Sequence, residues 1–353
     1  MKILIVCAYG VVYDDNSNPF VNCLAEGLKK DGHEVVCGLD AFWQNFYDYD
    51  VLYFQWPEAL FNGYNKSLSQ LETQLDKIKA AKVKMVVTCH NLHPHSNDSF
   101  MTKVYELLYS KVDAFHHMGN NSYDLLKKRY PDKYHFIAPH HTPEGFYDFN
   151  VNHEEAKRTL NIPESHTVVA SFGAFRNKAE VEMFMQMAKD VGKRDITYLA
   201  PRLPYGRIYN GKHIGKMIEN LKLYHKYKSL GVRRAGFLGR DELSFWVAAS
   251  DVVFIQRKEI LNSGNIPLAF AAGKIVVGPN MGNVGDIIQR TNNFSFEPGE
   301  KESIKRAVED SIKAVREGRG VGEANLIYSK EHWNLNTIIK TIVLHLNILK
   351  TLN

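Results

Sequence analysis

Short apolar runs rich in valine and isoleucine recur along the chain at residues 3–7, 34–37, 51–54, 83–88, 114–117 and 135–138, each separated from the next by an amphipathic or polar stretch. Runs that are apolar at nearly every position suit strands covered on both faces, so the alternation predicts a parallel sheet wrapped by helices. The intervening segments show the matching helical period. Residues 20–30 close at Asp31-Gly32, and residues 66–80 place Leu68, Leu71, Leu75 and Ile78 on one face. Periodicity stops at Pro139-His140-His141-Thr142-Pro143-Glu144-Gly145, where two prolines and a glycine predict a linker or hinge. A second series follows, with strands predicted at 168–172, 196–199, 235–238, 252–255 and 275–277 and helices at 179–191, 242–250, 266–272 and 301–316. The last helix, 335–349, is apolar nearly all round through Ile338, Ile339, Ile342, Val343, Leu346 and Ile348, which predicts burial against other elements. The expected fold class is therefore α/β, with doubly wound domains at 1–145 and 146–330 and a terminal helical segment at 331–353 that packs back toward the first domain.

A length of 353 residues fits two domains of ordinary size. With 44% apolar and 24% charged residues, a disordered, collagen-like or coiled-coil chain is excluded. The most apolar terminal stretch, 338–349, is interrupted by Lys340, His345 and Asn347, short of the ~20 residues that span a bilayer. Met1-Lys2-Ile3-Leu4-Ile5-Val6 leads into Tyr9-Gly10 without a small-residue cleavage pattern, so no secretory leader is expected and the expected location is cytoplasmic. Cys7, Cys23, Cys37 and Cys89 never fall in CxxC spacing and are predicted to be buried thiols. The formal charge of +5 suits an anionic substrate or a membrane surface as readily as nucleic acid.

Open parallel sheets bind ligands beyond the carboxyl ends of their strands, so the strand exits carry the candidate chemistry. The first exit, Cys7-Ala8-Tyr9-Gly10-Val11, lacks GxGxxG, and no GxxxxGKS/T occurs, which removes the main support for a dinucleotide site or a P-loop. After 83–88 comes Thr88-Cys89-His90-Asn91-Leu92-His93-Pro94-His95, whose imidazoles can bind metal, move protons or hydrogen-bond sugar hydroxyls. Pro94 between two of them gives no assurance of convergent ligands, so no metal is expected; His90 is the candidate for substrate contact, the alternative being that these are plain surface histidines. Gln55-Trp56-Pro57-Glu58 ends another strand; Trp56 either stacks on a sugar face or packs inside with its N–H satisfied. His116-His117 and His140-His141 are expected to be packing residues.

In the second half, Gly173-Ala174-Phe175-Arg176-Asn177-Lys178 follows a strand and enters a helix. Two cations there would neutralise a diphosphate, or else stand as solvated charges at an ordinary helix start. Farther on, Gln256-Arg257-Lys258-Glu259-Ile260-Leu261-Asn262-Ser263-Gly264-Asn265 leads from a strand to a helix with Pro267 in its first turn and Gly273 at its end. The N–H groups of Gly264, Asn265 and Ile266 predict an anion seat, the alternative being a plain Ser263 cap. Both features follow strands of one sheet and can face one ligand, and Gly278-Pro279-Asn280-Met281-Gly282 adds a third exit. Lys212, Lys216, Lys222, Lys226, Lys228, Arg233 and Arg234, interleaved with Ile214, Met217, Ile218, Leu221, Tyr224 and Tyr227, predict a basic amphipathic helix. Its apolar stripe either joins the core or brings the basic face to an anionic membrane; no nucleic-acid motif accompanies the charge.

Together these segments resemble the nucleotide-sugar-dependent glycosyltransferases of the GT-B fold, in particular the family 4 enzymes of bacterial polysaccharide biosynthesis, over nearly the whole chain. The resemblance implies two Rossmann-like domains facing across a cleft, with the terminal helix crossing over to the first. It implies a nucleoside-diphosphate sugar as co-substrate with no further cofactor, a saccharide or lipid-linked acceptor at the inner face of the cell membrane, and metal-free hexosyl transfer with retention. It places the acceptor at Gly10, Trp56, His90 and Asn91, and the donor at Gly173, Gly239, Arg240, Asn262, Ser263, Gly264 and Asn265. The reaction falls to His90, Arg176, Lys178 and Glu259. The chain departs from the family at one point: aligned on Gly273, the usual two glutamates separated by seven residues are Ile260 and Leu268 here, and Glu259 is the nearest acid. That departure keeps two further readings open, a non-catalytic sugar-nucleotide-binding subunit and a GT-B sugar-nucleotide epimerase that needs no acceptor.

Overall fold

The computed structural model describes residues 1–8, 18–94, 98–204, 222 and 225–352. The chain divides into two compact units, Met1–Phe146 with His332–Asn353, and Tyr147–Glu331. The first holds strands β1 (Lys2–Val6), β2 (Glu34–Cys37), β3 (Val51–Phe54), β4 (Lys84–Thr88), β5 (Ala114–His117) and β6 (Tyr134–Ile137) in the order β2-β1-β3-β4-β5-β6. All five pairings are parallel. Its helices are α1 (Pro19–Lys30), α2 (Asp40–Gln44), α3 (Leu68–Ala80), α4 (Ser99–Lys111) and α5 (Asn120–Arg129). Alternate strand residues feed opposite cores. Ile3, Ile5 and Tyr53 join Phe20, Val21 and Leu24 of α1, whereas Leu4, Leu52 and Phe54 join Leu71 and Leu75 of α3 and Leu108 of α4. Helix starts are chemically specified: Asn18 accepts the Phe20 N–H at 3.0 Å ahead of Pro19, and Ser67 and Gln70 form a reciprocal capping box.

The second unit repeats the plan with β7 (Thr167–Ala170), β8 (Ile196–Leu199), β9 (Val232–Arg233), β10 (Val252–Phe254), β11 (Ile275–Pro279) and β12 (Phe294–Phe296), in the order β12-β11-β10-β7-β8-β9, again all parallel. Helices α6 (His153–Thr159), α7 (Lys178–Val191), α8 (Arg240–Ala249), α9 (Asn265–Ala271), α10 (Gly282–Arg290), α11 (Lys301–Arg316) and α12 (Val321–His332) accompany them. The expected α/β class with two parallel, helix-covered sheets is the one observed.

In this unit five elements differ from expectation. The strand predicted at 235–238 lies at Val232–Arg233, paired to Tyr198 and Leu199. Arg233 donates to the carbonyls of Leu160 and Asn161, and Gly236 at φ +109° turns the chain off the sheet edge. β12, α6, α10 and α12 have no counterpart among the predicted elements. α12 has no apolar stripe to announce it: its buried residues are Asn325 and Ser329, and Asn325 donates to the Lys274 carbonyl at 2.9 Å and exchanges bonds with Asn293.

The chain then re-enters the first unit. The Thr142 N–H and hydroxyl both donate to the Trp333 carbonyl, at 2.9 and 3.1 Å. α13 (Leu335–Thr351) follows and buries Ile338, Ile339, Ile342, Leu346 and Leu349 in the core shared with α1. Among the described residues no helix is long and apolar enough to cross a membrane. Contact between α1 and α13 is close enough to require Gly27, since a β-carbon there would lie 2.5 Å from Ile339 Cγ1. Gly27→Val should therefore cost about 1–3 kcal/mol through overpacking. Ile339→Ala should be much less destabilising in that background than alone, because it opens the space the valine needs. Denaturant titration of the four proteins checks this, and full additivity would contradict it.

Candidate functional site

In the second sheet the strand order reverses between β7 and β10, the place where two neighbouring exits diverge and ligands enter α/β sheets. The β7 exit carries Gly173. A β-carbon on it would lie 3.1 Å from Arg257 Nη2, 3.1 Å from Asn265 Nδ2 and 3.3 Å from Gln256 Nε2. Glycine thus lets nitrogens from the β10 exit and the start of α9 converge on the β7 turn. Gln256 Nε2 donates to the Gly173 carbonyl at 2.9 Å, and the Ser171 hydroxyl donates to Gln256 Oε1. Arg257 Nη2 donates to the Ala174 carbonyl and Nη1 to Glu180 Oε2, both at 2.7 Å. The same Glu180 oxygen accepts the Arg176 N–H at 2.7 Å, while Asn177 caps α7 through the Glu180 N–H at 3.0 Å. Arg257 and Glu180 are only 6% and 4% exposed. Burial, then repulsion from Arg176, pushes Arg257 down to about 10 despite Glu180, with Arg202 adding to the repulsion. It remains a cation at neutral pH, and with Arg176 and Arg202 near enough to repel it, cations outnumber the single Glu180 carboxylate that pairs with it.

Other candidate residues are placed differently. The Lys178 ammonium lies 3.4 Å from Glu182 one turn along α7, with its side chain 90% exposed, so it stands on the outer surface of the helix. Of the three N–H groups expected to face an anion, two bond locally: Asn265 to Ser263 Oγ at 3.3 Å and Ile266 to the Ser263 carbonyl at 3.2 Å. Asn262 Oδ1 accepts from Asn283 Nδ2 at 2.8 Å, which ties this loop to the β11 exit. Gly282 completes that join, since at φ +57° a β-carbon would lie 2.5 Å from the Ile260 carbonyl. Gly239 and Arg240 open α8, the Gly239 N–H donating to Glu242 Oε2 at 3.1 Å. Glu259 is exposed and Leu268 is buried. Gln256, Arg257, Glu180 and Arg202 were not singled out from sequence; the signal available for the first two is their position directly after an apolar strand.

In the first sheet the order reverses between β1 and β3. Gly10, on the β1 exit, lies outside the described residues, as does His95. At the β3 and β4 exits the His90 ring stacks on Trp56 with centroids 4.2 Å apart and planes within 16°, so one indole face is taken by imidazole. His90 Nε2 meets Gln55 Oε1 at 3.0 Å, and the Phe20 ring makes a T-shaped contact with the imidazole at 83°, centroids 5.0 Å apart. Gln55 is fully buried and its Nε2 has no hydrogen-bond partner among the described residues. The Asn91 carbonyl accepts the Tyr109 hydroxyl at 2.9 Å, and His93 is exposed. Among the described residues no three His, Cys, Asp or Glu side chains gather as a metal site. His116 and His117 are interior: His116 meets the Tyr53 hydroxyl at 2.6 Å and the Ala138 carbonyl at 2.8 Å, and His117 meets His135 at 2.9 Å. All four cysteines are buried free thiols. Burial, reinforced by neighbouring imidazoles, holds His90 well below the usual histidine range.

Of the basic stretch, Lys212, Lys216, Ile214, Met217, Ile218, Leu221 and Tyr224 lie outside the described residues, while Lys222, Lys226 and Lys228 are exposed. Arg233 and Arg234 belong to the fold. Arg234 donates to the Leu203 carbonyl and lies over the Tyr227 ring at 5.1 Å.

No family model and no curated protein matches the chain. Solved structures do. Sucrose-phosphate synthase from Thermosynechococcus elongatus superposes with a TM-score of 0.72 at 14% identity, over 99% of each chain. HepE of Anabaena in complex with UDP-glucose gives 0.71 at 14% identity, over 99% of this chain and 100% of that one. A putative UDP-N-acetylglucosamine 2-epimerase from Listeria monocytogenes gives 0.61 at 10% identity, over 97% and 94%. The chain has the GT-B fold of these proteins.

Buried and half-buried histidines of the first unit set a pH dependence. Burial pushes His116 down to about 4 and both His117 and His140 down to about 3, so the folded state favours their neutral forms. Their contribution to stability is complete above about pH 6.5 and is lost as pH falls from there toward 4, at up to about 1.4 kcal/mol per group per pH unit. Denaturant titrations between pH 7 and pH 4.5 should show this decline, with a shallower slope for His140→Gln. A flat profile would contradict the burial of neutral imidazoles.

Proposed function

We propose that the chain is a nucleotide-sugar-dependent glycosyltransferase that takes its donor diphosphate at the paired exits of β7 and β10 and its acceptor hydroxyl at the exits of β3 and β4. The observation that carries this reading is the convergence on Gly173 of Gln256 Nε2, Arg257 Nη2 and Asn265 Nδ2, with Arg176 on the same turn. Charge grows on the diphosphate as its bond to the anomeric carbon breaks, and preset donors and cations stabilise it most where water is scarce. Arg176 and the Asn265 amide would meet the phosphate oxygens, with the Arg257 charge behind them and Lys178 joining by leaving Glu182. Asn262, Ser263 and Gly264 would line the donor, and Gly239 and Arg240 would frame the base. Glu259 is the acid nearest the sugar in sequence. A UDP-sugar is the first donor to test, because HepE is seen with UDP and with UDP-glucose.

In transfer, the anomeric carbon loses its bond to the diphosphate oxygen and gains one to the acceptor oxygen, and the hydroxyl proton leaves with the nucleoside diphosphate. We propose retention and no metal, the arginines supplying the positive charge. His90, neutral, stacked on Trp56 and in T-shaped contact with Phe20, would orient the acceptor hydroxyl, with Trp56 and Asn91 beside it. A saccharide or lipid-linked saccharide acceptor for polysaccharide biosynthesis fits this polar, aromatic lining. Exposed Lys222, Lys226 and Lys228 support reversible contact with an anionic membrane on its cytoplasmic side. The likeness to the Listeria protein favours epimerisation of the sugar nucleotide as the second reading.

Incubation with UDP-sugars, with and without saccharide acceptors, separates the readings. UDP release that needs acceptor supports transfer, a new sugar isomer formed without acceptor supports epimerisation, and binding without turnover supports a sugar-nucleotide-binding subunit. Arg176→Ala should weaken UDP binding by about 1–3 kcal/mol in calorimetry on folded protein. Unchanged affinity would refute this placement of the donor.

A further inference from the structure

Glu180 sits within the first turn of α7, and its side chain is buried although Arg176, Asn177 and Lys178 just before it are exposed. One of its oxygens accepts from two donors, the Arg176 N–H and Arg257 Nη1. The other arm of Arg257 donates to the Ala174 carbonyl, and Nη1 also reaches the Gln256 carbonyl at 3.2 Å. The turn from Gly173 to Arg176 is therefore held at two points by one ion pair, at Ala174 by the guanidinium and at Arg176 by the carboxylate. A buried ion pair seldom stabilises a protein more than apolar residues of similar volume would, so stability alone does not account for it. Nor does electrostatics favour a carboxylate beside a place meant for an anion.

We propose that Glu180, with Arg257 as its counter-charge, is a positioning residue for the donor diphosphate: it binds no ligand atom and acts by fixing the backbone at Arg176, so that the Arg176 cation meets the anion in a preset geometry. The proposal rests on the donor reading above. It makes a prediction opposite in sign to that of charge alone. Removing a carboxylate from beside an anion site should tighten anion binding, whereas releasing the Arg176 turn should weaken it.

The test is calorimetric titration of the full chain with UDP and, separately, with inorganic pyrophosphate. Glu180→Gln should bind both probes about tenfold more weakly than wild type, the scale of one charge-assisted hydrogen bond. Arg257→Lys, which keeps the charge but loses the two-armed fork, should show a similar loss, and it carries the test if Glu180→Gln does not fold. In an Arg176→Ala background Glu180→Gln should cause no further loss, because it acts through Arg176; a merely structural role would give the same loss in both backgrounds. Equal or tighter binding by Glu180→Gln, or full additivity with Arg176→Ala, overturns the proposal. A wild type that binds pyrophosphate but not UDP overturns the nucleotide reading, and the pair is then judged on pyrophosphate. A wild type that binds neither overturns the diphosphate seat and the proposal together.

Discussion

Parallel pairing is the constraint from which the rest of this structure follows. Every strand pair in both sheets is parallel, so each connection must cross back outside the sheet, here mostly through a helix, and every strand in a sheet ends at the same edge. In the second sheet β7 is interior, with β8 and β9 on one side and β10 to β12 on the other. Its exit and that of β10 are neighbours from which the chain departs in different directions. Gly173, Gln256 and Arg257 occupy that gap, and the missing β-carbon at Gly173 is what admits their side-chain nitrogens to it.

The corresponding positions in the two sheets are electrostatically unlike. The first sheet carries imidazoles that burial keeps uncharged, His90 and His140 at strand exits and His116 inside β5, in ring contact with Phe20, Tyr53 and Trp56. The exits of the second carry Arg176, Arg202 and Arg257, the last paired with the buried Glu180 carboxylate. A neutral, aromatic lining suits hydroxyl-bearing substrates, because it can hydrogen-bond without imposing a field. A preset cationic turn suits a diphosphate. Two copies of one architecture have in this way been given different chemistry by a few residues just beyond the strands.

Much of this was legible in the sequence. Buried parallel strands are apolar on both faces, so runs such as Val51–Phe54 and Ile196–Leu199 were found with the bounds the structure gives them. Long helices with an apolar stripe, such as α7 and α11, were equally plain. What escaped was short or held by polar contacts that leave no period: α10 and β12 run only nine and three residues, α12 is fastened by Asn325, and β9 is a two-residue strand secured through Arg233. At the site, Gly173 and Arg176 could be named because a glycine followed by a cation after a strand is a local pattern. Glu180 and Arg257 could not, since 77 residues separate the partners and only the fold brings them to 2.7 Å. Lys178 shows the converse, a local pattern whose side chain the fold turns toward Glu182.

The central claim is that the edge of the second sheet between β7 and β10 is a seat for a nucleoside diphosphate. Titrating isotopically labelled protein with UDP and following backbone amide resonances locates the ligand without presupposing a reaction. The account predicts saturable shifts concentrated at Gly173, Ala174, Arg176, Gln256 and Asn265, with the amides of the first unit's sheet left in place. Shifts centred on any other part of the chain, or none at saturating UDP, would contradict it.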